Sequence, residues 1–188
     1  MQPWKTNHTR TVLSQPPWLV VEERTVELPD GRVIEDWPWI TTPDYVNVVA
    51  ELPDGRFLCF RQVKYGLEGD SLALVGGFIE AGEAPLAAAQ RELLEETGYR
   101  AMEWYELGHY RVDPNRGIAT GHLYLARNCH LTDQPTADDL EEQHLLTLSR
   151  DELEQALETG EFKVLAWAAA LALAFRKMDQ LAATSHSH

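Results

Sequence analysis

Gly77-Phe78-Ile79-Glu80-Ala81-Gly82-Glu83-Ala84-Pro85-Leu86-Ala87-Ala88-Ala89-Gln90-Arg91-Glu92-Leu93-Leu94-Glu95-Glu96-Thr97-Gly98 joins a glycine-rich loop to a segment with well-marked helix ends. Pro85 suits the first helical position, where its missing N–H costs nothing. Gly98 suits the left-handed position that terminates a helix, with Tyr99 closing a hydrophobic contact behind it. Between them, Leu86, Ala89, Gln90, Leu93 and Thr97 predict a mostly apolar stripe at helical spacing. At about 100° per residue, Glu92 and Glu96 lie about 40° apart and Glu95 about 60° from Glu92, all directed away from that stripe. Like charges so placed destabilise a helix. A run of this kind is usually a solvated acidic face. The alternative is a hard-cation site, because clustered carboxylate oxygens are what Mg²⁺ or Mn²⁺ prefers.

The surroundings favour the second reading. Gly76, Gly77 and Gly82 allow close backbone approach in the loop, and Arg91 is placed to pair with Glu83 and fix loop to helix. Outward from this segment, strands are predicted at Trp18 to Leu28, Arg32 to Ile40, Tyr45 to Ala50 and Phe57 to Val63. Further strands follow at Met102 to Arg111, Ile118 to Arg127 and Gln143 to Leu148. The hexapeptide Glu-Leu-Pro-Asp-Gly-Arg occurs twice, at Glu27 to Arg32 and Glu51 to Arg56. Pro presets its φ, Asp bonds nearby backbone and Gly supplies a positive φ, so both copies read as hairpin turns. Ser149-Arg150-Asp151-Glu152 is a capping-box sequence opening a helix to about Glu158. A last helix is predicted from about Val164 to Leu181, before the tail Ser185-His186-Ser187-His188. Strands mixed with a few helices, without regular alternation, indicate an α+β or irregular α/β sandwich.

Composition bounds the function. The chain has 188 residues, enough for one domain with a core of its own. Its 30 acidic residues against 16 basic ones give a net charge of −14, which disfavours nucleic acid as a partner. A small anionic substrate then needs a cation or a local basic patch, and a bound metal reverses the local field. Cys59 and Cys129 stand apart without Cys/His ligand spacing, so they read as buried thiols of a reducing cytoplasm. Met1 to Arg10 is polar, with no apolar signal core. Val164 to Phe175 is too short to span a bilayer. The expected location is cytoplasmic, away from membranes.

The pattern Gly-x5-Glu-x7-Arg-Glu-Leu-x-Glu-Glu-x-Gly, complete from Gly77 to Gly98, is identified as the Nudix box. Its eight fixed positions coincide by chance about once in 10⁸ starts. No Gly-Lys-Ser/Thr is present, which excludes a P-loop. Tyr99 stands where that family usually has an aliphatic residue, and Val75-Gly76 where it often has Pro-Ala or Pro-Gly. From Trp18 to Ala174 the chain resembles the ADP-ribose pyrophosphatase branch most closely. The likeness rests on the N-terminal strands, on Arg61-Gln62-Val63-Lys64 (Lys replacing a final Arg), on Pro114, and on the acidic loop Asp139-Leu140-Glu141-Glu142.

The resemblance implies an α/β/α sandwich with a mixed central sheet. Residues 1–40 would form an N-terminal β-element that dimerises and is exchanged between subunits. Residues 41–182 would form the hydrolase domain, and 183–188 a flexible tail. It further implies a homodimer that uses Mg²⁺, with Mn²⁺ as an alternative, to split ADP-ribose or a related nucleoside diphosphate sugar. The Gly76 carbonyl, Glu92, Glu95, Glu96 and Glu141 would hold metal. Asp139 or Glu142 would be general base, Glu95 the next candidate, with Arg91 supporting catalysis. Arg61, Lys64, Pro114, Arg116 and Trp37 would meet substrate, with Trp39 and Tyr65 as further aromatics able to stack on a base. Gly77, Glu83 and Gly98 would shape the loop–helix junction. The alternatives are another substrate, GDP-mannose or a nucleoside triphosphate, and a non-catalytic ligand-sensing module. The intact box and the absence of a DNA-binding extension argue against the sensing module.

Overall fold

The computed structural model describes residues 1–136 and 142–185. Two compact units emerge, one of residues 1–44 with 110–121, the other of 45–109 with 122–188.

The first unit is an antiparallel three-stranded sheet of β1 (Lys5–Gln15), β2 (Leu19–Glu27) and β3 (Val33–Thr41), in that order. The second and third strands follow the sequence expectation. β1 was not expected, because Lys5-Thr-Asn-His-Thr-Arg-Thr has no apolar alternation and every residue of the strand is exposed. Backbone pairing to β2 holds it, together with cross-strand ion pairs Lys5–Glu27 and Arg10–Glu23. Pattern reading detects buried faces, so a strand stabilised by its ladder alone escapes it. Residues 110–121 complete this unit. There Ile40 N–H donates to the Arg116 carbonyl (2.9 Å), Trp37 Nε1 to the Asn115 carbonyl (2.8 Å) and Thr120 N–H to the Asp44 carboxylate (2.6 Å).

The second unit holds the core. Its sheet contains β4 (Tyr45–Glu51), β5 (Phe57–Val63), β6 (Asp70–Ala73), β7 (Tyr99–Asp113), β8 (Ile118–Leu131) and β9 (Gln143–Leu148). The path runs β6-β5-β4-β8-β7, and β9 also pairs with β5. A strand has two edges. β9 pairs along Phe57 to Gln62, which leaves β4 and β6 to share the other edge in succession. The short β6 was not expected, being only four residues long, and β7 begins at Tyr99, directly after the helix. Every residue from Val46 to Glu51 is buried, so both faces of β4 are covered. The helices α1 (Pro85–Thr97) and α3 (Leu165–Ser185) pack on it, giving the layered mixed α/β architecture expected from sequence.

Helix α1 has the ends that were expected, with Pro85 at its start and Gly98 at φ 77° donating its N–H to the Leu94 carbonyl. Its buried stripe differs from the expected one. Ala88, Ala89, Leu93 and Thr97 face the core, whereas Leu86 and Gln90 are exposed. Small alanines on the buried side let the helix lie close to the sheet, and this overrides the larger Leu86. Helix α2 (Arg150–Thr159) is opened by the expected reciprocal capping box of Ser149 and Glu152. Helix α3 carries on through Ser185 instead of ending near residue 181, consistent with the strong helix formers Ala182 and Ala183. None of the helices is long and apolar enough to cross a membrane, among the described residues. Both thiols are buried, and desolvation pushes each up to about 12.

The repeated hexapeptide builds one turn twice. Leu28 N–H bonds the Arg32 carbonyl at 2.8 Å and Leu52 N–H the Arg56 carbonyl at 2.7 Å. Asp30 and Asp54 each accept from the backbone N–H two residues on, at 3.1 Å. Gly31 and Gly55 share φ values of 84° and 83°. Gly31→Ala and Gly55→Ala should therefore destabilise the protein by similar amounts, about 1 kcal/mol each. Urea titration of the two variants checks this, and a cost confined to one of them would show the turns to be unlike.

Candidate functional site

The C-terminal half of α1 faces the loop that leaves β6. Val48 N–H donates to the Val75 carbonyl (2.8 Å) and Val46 N–H to the Gly77 carbonyl (2.9 Å), tying residues 75 and 77 to β4. In extended chain, alternate residues turn their polar groups to opposite sides. Gly76 therefore presents N–H and C=O away from β4, and its N–H donates to Glu96 Oε2 at 2.9 Å. The packing demands glycine at Gly76, where the clash is with backbone, whereas a side chain at Gly77 would displace the Glu92 carboxylate. A Cβ at Gly76 would lie 2.2 Å from the Val46 carbonyl oxygen, and one at Gly77 would lie 2.3 Å from Glu92 Oε1. Loop backbone and helix carboxylates are thus in direct contact.

Arg91 organises the remaining acids. Its Nε and Nη2 form a fork onto Glu83 at 2.9 and 3.0 Å, and Nη2 also reaches the Phe78 carbonyl at 3.1 Å. Its Nη1 is shared by Glu92 Oε1 at 2.8 Å and Glu95 Oε2 at 3.0 Å. Glu83 also accepts from the Glu80 N–H at 3.0 Å, which closes the loop on itself. The side chains of Glu83 and Glu92 are only 16% and 13% exposed, against 44% for Glu95. The Arg91 guanidinium, and next the Glu80 N–H, hold the Glu83 carboxyl below the usual carboxylate range. The same fork holds the Arg91 proton more tightly than usual.

This donor set is oxygen-only: three glutamates on one helical turn beside loop backbone. It suits a hard divalent cation and offers nothing to a thiophilic one. Among the described residues, no three His, Cys, Asp or Glu side chains stand together as a ready-made cation cage.

The other candidates are distributed as follows. Arg61 is bonded to Glu161 at 2.7 Å and Asp70 at 3.3 Å. Lys64 is half-buried at the end of β5, and Tyr65 is fully exposed. Arg116 lies in an exposed turn on Asp113 at 2.8 Å. Glu142 is exposed, with His144 at 3.4 Å. Asp139 and Glu141 lie outside the described residues. Trp37, Trp39 and Pro114 come together within the first unit. They line a cavity of ≈ 310 Å³ with Trp4, Arg24 and Asn115. Trp4 meets Trp37 edge-on at 5.2 Å, and the Arg24 guanidinium lies 3.9 Å over the Trp39 ring.

Two residues escaped sequence reading. Trp4 precedes the unexpected strand β1. Asn47 lies in the apolar run of β4, where a lone polar residue was the available signal. It is 4% exposed, and its Nδ2 has no hydrogen-bond partner among the described residues.

Residues 41–168 match the family model of the NUDIX domain. The chain is 29% identical over 143 residues to the ADP-ribose pyrophosphatase of Bacillus subtilis (strain 168), covering 76% of this chain and 75% of that protein. It is 32% identical over 135 residues to the methanol dehydrogenase activator of Bacillus methanolicus, covering 71% and 70%. A third relative is the CMP-5'-(N-acetyl-N-hydroxy-3-aminopropyl)phosphonate hydrolase of Streptomyces rubellomurinus (strain ATCC 31215), 29% identical over 76% of this chain and 68% of that one. Among solved structures, one described as an ADP compounds hydrolase superposes with a TM-score of 0.81 over 96% of this chain and 97% of the other. At 20% identity, that likeness bears on the fold alone.

The Glu83–Arg91 fork makes a pH-dependent contribution to stability. The folded-state pKa of Glu83 lies below its ordinary value of 4.5. The contribution is therefore present above about that pH and is lost as pH falls through the lowered folded value. Melting curves of the parent and Glu83→Gln should differ at pH 7, and the gap should narrow as the pH is taken down through the acid range. A gap that stays constant all the way to acid unfolding would mean that packing, not charge, supplies it.

Proposed function

The chain belongs to the Nudix family, and from that premise we propose that it hydrolyses the diphosphate bond of ADP-ribose or a related nucleoside diphosphate sugar. The products are a nucleoside monophosphate and a sugar phosphate, and the cofactor is Mg²⁺ or, in its place, Mn²⁺. The observation that carries this reading is the contact between the Gly76-Gly77 loop and the carboxylates of Glu92 and Glu96 on one turn of α1.

Glu92, Glu96 and the Gly76 carbonyl would hold the metal, with Glu95 beside them and Glu141 contributing from the acidic loop. A bound divalent cation supplies neutralising charge to the diphosphate and lowers the pKa of the attacking water. Water oxygen bonds to one phosphorus, the bridging P–O bond breaks, and the bridging oxygen leaves with the other phosphate. The proton of the water passes to a carboxylate, Asp139 or Glu142, with Glu95 the next candidate. Arg91 keeps Glu92 and Glu95 in place. Arg61, Lys64 and Arg116 are the candidates for phosphate contact, and Trp37 beside Pro114 for stacking with the base.

Two relatives named as hydrolases of ADP-ribose and of a CMP phosphonate support a nucleotide joined through phosphorus to a second group. The N-terminal sheet is proposed as the dimerisation element. Its outer strand β1 offers eleven exposed residues along an open edge, the kind of surface that pairs with another chain.

The test is a substrate panel with Mg²⁺, resolved by chromatography, containing ADP-ribose, GDP-mannose, a nucleoside triphosphate and a CMP-linked phosphonate. ADP-ribose should be cleaved to AMP and ribose phosphate, and excess EDTA should abolish turnover without unfolding the protein. Cleavage of only the triphosphate would overturn the substrate assignment. Glu96→Gln should lose roughly 10³-fold in rate, about 4 kcal/mol of transition-state stabilisation. Its far-UV spectrum should be unchanged. A variant within a few-fold of the parent would remove Glu96 from the site.

A further inference from the structure

We infer that Arg91 is an internal counter-ion that competes with the divalent cation for Glu92 and Glu95. This rests on the proposal that those glutamates hold metal. The two sides of the guanidinium do different work. The Nε/Nη2 side grips Glu83 with two bonds and caps the Phe78 carbonyl, and its partner carboxylate is largely shielded from water. On the Nη1 side each carboxylate receives a single bond, and one of the two, Glu95, is nearly half exposed. A single bond to a solvated carboxylate is weaker and more readily exchanged than a two-bond fork onto a shielded one. Three carboxylates, Glu83, Glu92 and Glu95, thus face one guanidinium, so negative charge is in excess around it.

The same geometry explains how such a cluster is tolerated on one helix. Glu92 and Glu96 repel at i, i+4, and Glu95 adds to the repulsion. Nη1 relieves part of this by bonding Glu92 and Glu95 together, so each of these two carboxylates turns an oxygen toward Arg91. A dication drawing in Glu92 and Glu95 has to take Oε1 of the first and Oε2 of the second from Nη1, or approach a positive charge at close range. Either route lowers its affinity. The Glu83 fork need not change, and it keeps α1 fixed to the loop while Nη1 lets go.

A purely supporting Arg91 and a competing Arg91 give opposite signs. If the arginine only positions the carboxylates, its removal weakens cation binding. If it competes, its removal strengthens binding while lowering the stability of the protein in chelator. The experiment is Mn²⁺ titration of the full chain and of Arg91→Gln, with free Mn²⁺ read by electron paramagnetic resonance and melting followed with and without the ion. Arg91→Gln should bind Mn²⁺ more tightly, by about tenfold. It should melt lower than the parent in EDTA, and gain more in melting temperature on adding Mn²⁺. Saturable binding by the parent with equal or weaker binding by a folded Arg91→Gln overturns the inference alone. A parent that binds no Mn²⁺ overturns the metal reading and this inference with it. A second measurement needs no variant. In the parent, saturating Mg²⁺ should shift the ¹⁵N and ¹H resonances of Arg91 Nη and leave Nε, bonded to Glu83, in place. Unmoved Nη signals at saturation overturn the competition.

Discussion

The guanidinium of Arg91 joins the two halves of the site, and most of the local geometry depends on it. Glu83 belongs to the loop and Glu92 and Glu95 to the helix, and one planar group bonds all three. Lysine in its place could offer a charge but not a fork, since an ammonium cannot hold a bidentate carboxylate and a separate donor arm in fixed directions. Its Nη1 arm also relieves part of the repulsion among the helix carboxylates by bonding Glu92 and Glu95. Gly98 then ends the helix, and its carbonyl accepts from both Thr132 and Asp133, at 2.9 and 3.1 Å. The carboxylates are therefore bracketed by a fixed loop on one side and a fixed helix end on the other.

That bracket works only because the sheet beneath it does not yield. β4 is buried on both faces, and its carbonyl at Val46 stands so close to Gly76 that no side chain fits between them. Alanines on the inner stripe of α1 continue the same close approach from the helix side. Deeper in the sheet, Glu51 pairs with Arg127, joining β4 to β8 by a charge-assisted bond within largely buried surroundings. Asn47 introduces polarity into the same strand. A buried amide without a partner for Nδ2 is costly, on the order of 1–3 kcal/mol, and it lies beside Gly76, with Oδ1 2.9 Å from where a Cβ there would be.

Legibility from sequence followed the strength of local chemistry. The ends of α1, the capping box at Ser149 and both Pro-Asp-Gly turns were readable because each residue there acts on its own backbone neighbours. The pairing of Glu83 with Arg91 was readable because its spacing belongs to a complete motif. β1 was not, since its stability comes from pairing with β2 and leaves no apolar pattern. The rotated stripe of α1 failed for a related reason. Hydrophobicity favoured Leu86, but close helix–sheet packing selects small residues, and Ala88 is buried in its place. Trp37 and Pro114, distant in sequence, meet around one cavity through the turn at 113–117, a long-range relation that no local pattern encodes.

Electrostatics ties these observations to the chemistry. A chain of net charge −14 that handles an anionic substrate needs positive charge at the point of contact. The arginines nominated from sequence have prior engagements. Arg61 is held by Glu161 and Asp70, Arg116 by Asp113, and Arg91 by three glutamates. Such pairs hold each guanidinium in a defined position but leave little net field to attract phosphate. Under the proposed function, the charge reversal falls to a cation held by the oxygen-only cluster on α1. On that proposal the acid around the box has two partners: Arg91 bonds Glu83, Glu92 and Glu95, and the negative charge left over draws the dication.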